Sequence, residues 1–89
     1  MFSTLSPDQV RSDPFLIAIY RAIIPKLPEF LRRLRVNKIQ KGTFKNGTIV
    51  YNIIYGKRSS EDTHELSIFF DPNSKQIKYL YLKEVEKII

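Results

Sequence analysis

Apolar and polar positions change their spacing along this chain, and each change marks a different kind of element. From Phe15 to Ile24 nearly every side chain is apolar, with Arg21 the only charge. A helix of that kind is either enclosed or pressed against a partner. Pro25 and Pro28 follow, so it ends or kinks there. Leu27, Phe30, Leu31 and Leu34 then recur at i, i+3, i+4 and i+7, one apolar stripe on a helix. Upstream, Ser6-Pro7-Asp8-Gln9 reads as a helix start: a capping serine, a proline at the first helical position and a glutamine closing a capping box. Leu5 and Val10 fit a hydrophobic staple across it, and Asp13-Pro14 repeats the start signal.

Beyond residue 38 the period becomes two. Lys38 to Gly56 reads as a β-hairpin turning at Asn46-Gly47, a pair suited to a two-residue turn that sets Phe44 opposite Ile49 and Gly42 opposite Tyr51. Gly42 there leaves room for the Tyr51 ring or marks a bulge. The second arm, Thr48 to Tyr55, carries large apolar groups on both faces and therefore reads as a central strand. Gly56 to Thr63 is polar and reads as a loop. Glu65 to Asp71 alternates as a third strand, Asp71-Pro72-Asn73-Ser74 makes a turn, and Ile77 to Leu82 alternates as a fourth. Ile77, Tyr79 and Tyr81 share one of its faces, Leu80 and Leu82 the other. The spacing leaves open whether 83–89 is strand or helix.

The predicted architecture is α+β in one domain, 1–89, with a helical half over 1–35 and a four-stranded antiparallel meander over 36–89. A helix followed by such a meander resembles the cystatin architecture in topology alone. Gln40-Lys41-Gly42 lacks the valine of the cystatin Gln-x-Val-x-Gly motif, and the chain has no tryptophan for the second inhibitory loop. Protease inhibition is therefore not carried over.

Composition narrows the chemistry. A hydrophobic share of 43% is that of a globular chain, and 89 residues hold one core. With no cysteine, disulfides and thiolate chemistry are excluded. His64 is the single histidine, so no metal or cofactor is expected, and three scattered glycines make no phosphate loop. His64 sits beside Ser59, Ser60, Glu61 and Asp62 in one polar stretch, whereas a catalytic site gathers residues from separate elements, so an enzyme is not expected. The start of the chain lacks a basic n-region, and Phe15 to Ile24 is shorter than a membrane span, so a soluble cytoplasmic protein is expected. Asn46-Gly47-Thr48 matches a glycosylation acceptor but is read as the turn. The preference for Lys, Ile, Tyr and Asn is that of an AT-rich genome, viral or thermophilic.

The net charge of +6 is confined to residues 26–45, where Lys26, Arg32, Arg33, Arg35, Lys38, Lys41 and Lys45 face Glu29 alone. Arg32, Arg33, Arg35, Lys41 and Lys45 are the candidate contacts for an anionic partner, nucleic acid included. A second signal is an excess of apolar surface. One helical layer covers one face of a sheet, which leaves Val50, Ile54, Phe69, Leu80 and Leu82 on the other face, and Phe15 and Ile19 on the outside of the helix, as candidate protein-interface residues. The preferred expectation is a non-catalytic protein-interaction module, a homodimer or a small subunit of a larger assembly. The alternative is a nucleic-acid-binding domain using 26–45.

Overall fold

A computed structural model describes residues 2–85 of the chain. The fold is α+β: short helices packed on one face of an open antiparallel sheet. The sheet has five strands rather than four, in the order β1-β2-β3-β4-β5: β1 Phe2–Thr4, β2 Arg35–Thr43, β3 Ile49–Arg58, β4 Glu61–Asp71 and β5 Gln76–Glu84. The extra strand, β1, precedes the helices and pairs with Gln40 to Gly42 on the outer edge of β2. Three residues are too few to show a period of two, so only the pairing reveals it.

The helical segments start where the capping signals put them. In α1, Pro7–Ser12, the Ser6 hydroxyl accepts from the Gln9 backbone N–H at 3.2 Å, and the Gln9 side chain accepts from the Ser6 N–H at 2.8 Å. Asp13 then caps α2, Pro14–Ile23, accepting from the N–H groups of Phe15 and Leu16. A 3-10 turn at Ile24–Lys26 absorbs Pro25, and α3 is a single turn, Glu29–Arg32. The predicted stripe is therefore only partly helical. Leu31 is fully buried, Leu27 and Leu34 are half-buried, and Phe30 is exposed with its ring against His64.

The hairpin register differs from the predicted one by a residue. Asn46 does not have positive φ, whereas Gly47 does (φ 90°), which excludes the two-residue turn with both central residues left-handed. Gly47 N–H instead donates to Phe44 O, and Phe44 N–H to Thr48 O, enclosing Lys45, Asn46 and Gly47 in a three-residue loop. Gly42 consequently pairs with Val50, and Lys41 with Tyr51. A one-residue slip turns every side chain of that arm to the other face. Lys41 thus points to the helices and Phe44 away from them.

The expected loop at 56–63 is also a hairpin. β3 runs on to Arg58, β4 starts at Glu61, and bulges at Gly56 take up the irregularity. A further bulge leaves Lys78 unpaired, because Phe70 pairs with Ile77 while Phe69 pairs with Tyr79. This bulge turns Leu80 and Leu82 to the same face as Ile77, and Tyr79 and Tyr81 to the opposite one. Strand β5 includes Lys83 and Glu84; residues 86–89 lie outside the described residues.

One core holds the layers together. Leu16, Ile19 and Ile23 of α2 and Leu31 of α3 pack on Ile49, Tyr51, Ile53 and Tyr55 of β3 and on Leu66, Ile68 and Phe70 of β4. The helices therefore sit over the centre of the sheet, and of β5 it is Ile77 that packs against this core.

Candidate interaction surface

The basic segment does not form one patch. Arg32 and Arg33 lie on α3, where Arg33 pairs with Glu29 at 3.1 Å, and Arg35 opens β2 at the same end of the sheet. Lys45 is in the hairpin loop at the opposite end, roughly 30 Å away at the rise of an extended strand. Lys41 is engaged elsewhere: its Nζ lies 3.0 Å from Asp13 Oδ2 and 5.5 Å from the centre of the Tyr51 ring.

Asp13 is the centre of that internal network. It is 9% exposed, accepts from two backbone N–H groups of α2, and takes the Tyr51 hydroxyl at 2.8 Å on the oxygen that also meets Lys41. Burial alone raises a carboxyl pKa, but the hydrogen bonds from Lys41, Leu16 N–H and Tyr51, with the Lys41 charge, outweigh it and hold Asp13 below the usual carboxylate value. Burial and the Asp13 carboxylate push the Tyr51 hydroxyl pKa well up. The network joins α2 to β2 and β3.

The two buried tyrosines of β3 differ sharply. The Tyr55 hydroxyl is buried with no hydrogen bond of good geometry. Burial, with the neighbouring Tyr20 hydroxyl, pushes its pKa up to about 12. Because the contact with the Tyr20 hydroxyl is not a hydrogen bond of good geometry, removing the Tyr55 hydroxyl removes mainly its desolvation cost. Tyr55→Phe is therefore expected to leave stability unchanged or raise it by up to about 1 kcal/mol, while Tyr51→Phe costs about 1.5 kcal/mol through its bond to a charged acceptor. Urea unfolding of both variants measures the contrast.

The predicted interface residues fall into separate groups. Ile19 belongs to the core, and Phe15 is half-buried with its ring 5.2 Å from Phe70. Val50 and Ile54 do point to the outer face, yet both are buried beneath neighbouring side chains. Phe69 lies among rings on that face: its centroid is 6.1 Å from Phe44, 6.2 Å from Tyr79 and 5.8 Å from Tyr81. Asn52 and Ser67 hydrogen-bond each other beside this cluster at 2.8 Å. Leu80 and Leu82 are exposed, but on the helix-side face, where Leu80 lines a cleft with Ala22 and Ile23 at the end of α2.

What the spacing did not reveal is that both faces of one strand are open at once. Tyr79 is 59% exposed and Tyr81 57% on the outer face; Leu80 is 43% and Leu82 40% exposed on the other. Strand β5 is the last in the sheet, so one of its backbone edges has no partner strand among the described residues. Between it and α2 runs an apolar groove of about 610 Å³ lined by Phe15, Ala18, Ala22, Phe70 and Ile77. The free edge is visible only once the strand order is known, and the leucines' place on the helix-side face, with the tyrosines opposite, only once the Lys78 bulge is.

His64 is half-buried at the start of β4. Its Nδ1 lies 2.9 Å from Thr63 Oγ1, and its ring packs on Phe30. No helix among the described residues is long and apolar enough to cross a membrane. Compared with protein-family models, with characterised proteins and with solved structures, the chain matches none.

Proposed function

We propose that this protein is a non-catalytic protein-interaction module, self-associating or a small subunit of a larger assembly, whose docking element is β5. The observation that carries this reading is the strand itself: Tyr79, Leu80, Tyr81 and Leu82 are open to solvent on both faces of an edge that is unpaired among the described residues. Sheet edges of this length and apolarity are normally shortened, charged or covered, because they pair with any strand that meets them. In β5 the flanking lysines, Lys78 and Lys83, leave the central four residues unprotected.

The test is sedimentation across a concentration series. The mass is expected to rise above the 10.5 kDa of one chain. It should return to one chain in the variant Leu80→Ser/Leu82→Ser, which changes only exposed side chains. A wild-type chain that stays monomeric at millimolar concentration, and that takes up no partner the double variant refuses, ends the reading.

Nucleic acid is the second reading, and the outer rings are what favours it. Bases stack on exposed aromatic side chains of a sheet face, and Phe44, Tyr79 and Tyr81 are such side chains. Its weakness is the cations: Arg32, Arg33 and Arg35 stand at the far end from Lys45, and Lys41 is held by Asp13.

A further inference from the structure

The free edge of β5 has a definite hydrogen-bonding phase. Val85 N–H donates to Thr63 O at 2.9 Å, in line with the pairs His64–Glu84 and Leu66–Leu82. Backbone groups alternate along a strand, so the odd-numbered residues from Tyr79 to Val85 direct theirs to β4. Leu80, Leu82 and Glu84 direct their N–H and C=O outward. An incoming antiparallel strand must bond to those three.

We propose that the occupant of this edge is β5 of a second copy, with the two-fold axis passing between the two Tyr81 residues. This inference rests on the reading of β5 as a docking element and names its partner. The argument is self-complementarity. With Tyr81 opposite Tyr81, each Leu80 lies opposite the other copy's Leu82, and these leucines carry outward backbone groups, so each pair exchanges both hydrogen bonds. All four leucines sit on the helix-side face, where one copy leaves them exposed. On the outer face Tyr79 lies opposite Lys83 of the other copy, whose ammonium also pairs with Glu65 of its own copy at 3.0 Å. At each end Lys78, the bulge residue, meets Glu84 of the other copy, opposite charge on opposite charge.

The neighbouring registers each set a leucine opposite a charged residue. An axis at Leu80 sets Leu82 opposite Lys78 and leaves Glu84 opposite Gln76. An axis at Leu82 keeps a ring, Tyr81, opposite Lys83 but sets Leu80 opposite Glu84, an apolar side chain facing a carboxylate. Like-with-like on the apolar positions selects the Tyr81 axis, the one that sets no leucine opposite a charged residue. The result is a continuous ten-stranded sheet with the two helical layers on the same side.

Because the chain has no cysteine, single-cysteine variants read the register directly. Across the axis Tyr81 forms a non-hydrogen-bonded pair with Cα atoms about 4.5 Å apart, within disulfide range. Tyr81→Cys is expected to cross-link under mild oxidation at least tenfold faster than Leu80→Cys. Lys78→Glu and Glu84→Lys should each weaken the dimer about tenfold, since the symmetry doubles every like-charge contact, and the double variant should restore it. All of these positions are exposed, and circular dichroism confirms that each variant folds.

A Leu80→Cys that links faster than Tyr81→Cys overturns the register. A dimer in sedimentation with neither variant linking overturns the edge pairing while leaving the protein-interaction reading in place. A wild-type chain that stays monomeric at millimolar concentration overturns the dimer. So does a monomer that binds single-stranded DNA with a steep dependence of log K on log salt.

Discussion

Replacing Asp13 with alanine is expected to cost about 3 kcal/mol of folding stability, the sum of a lost helix cap at about 1 kcal/mol and a buried tyrosine hydroxyl left unpartnered at about 1–3 kcal/mol. Lys41 adds little to that sum, because a third of its side chain is exposed and the freed ammonium can turn to water. Asp13→Asn separates the contributions. The amide's single oxygen still caps α2, but an NH2 group, which can only donate, replaces the oxygen that accepted from Tyr51 and Lys41, so the Tyr51 hydroxyl must turn to accept and a cost of about 2 kcal/mol is expected. The pH dependence gives a second reading of the same site. The folded pKa of Asp13 lies below its unfolded value near 3.8, so folding is favoured by the ionised form. That contribution is complete above about pH 5 and disappears as the pH falls through the depressed folded pKa. The stability difference between wild type and Asp13→Asn should therefore be flat at neutral pH and shrink in acid. At the alkaline end the sign reverses: Tyr51 and Tyr55 have raised pKa values, so their contribution is present below pH 10 and is lost above it. Urea titrations at a series of pH values check both limbs. A difference that is independent of pH would show that Asp13 acts only as a neutral cap.

The same residue shows how much of the fold was legible in the chain. Asp13-Pro14 announced a helix cap through local chemistry, and that part is found in place. That its second oxygen meets Lys41 and Tyr51 was not legible, because those contacts depend on the hairpin register. The register in turn hung on one dihedral angle: Asn46-Gly47 suits either a two-residue or a three-residue loop, and nothing local to the pair decides between them. Once it shifts by one residue, Lys41 leaves the supposed basic patch for the interior. The Lys78 bulge works in the same way on β5. Alternation alone puts Ile77, Tyr79 and Tyr81 together, and one extra residue separates Ile77 from the tyrosines and brings it to Leu80 and Leu82. Strand content and the α+β class follow from periodicity, which is a property of each segment. Which face meets the helices follows from bulges and turns, which are properties of pairs of segments. The excess of apolar surface was therefore readable in amount but not in location.

Gly56 is the position where a single methyl group is expected to do the most damage. It lies between two register shifts of the β3–β4 pairing and beside the β2 bulge at Asn37. A Cβ there would overlap the Glu61 carbonyl oxygen and press on Asn37 Nδ2. The first obstacle is backbone, which cannot turn aside as a long side chain can. Asn37 Nδ2 is itself committed, donating to Arg58 O at 2.8 Å and to Asp62 Oδ1 at 2.9 Å, so it ties the bulge of β2 to the end of the β3–β4 hairpin. Gly56→Ala must therefore either open that hairpin or expel Asn37, and a loss of about 3 kcal/mol is expected from overpacking of this kind. A double-mutant cycle tells which. Asn37→Ala alone should cost about 1 kcal/mol, the net worth of its hydrogen bonds. If the methyl group acts by expelling Asn37, the double variant costs less than the two singles together, because the amide contacts can be lost only once. Costs that add in full would place the strain in the Glu61 backbone alone and remove Asn37 from the account of this bulge.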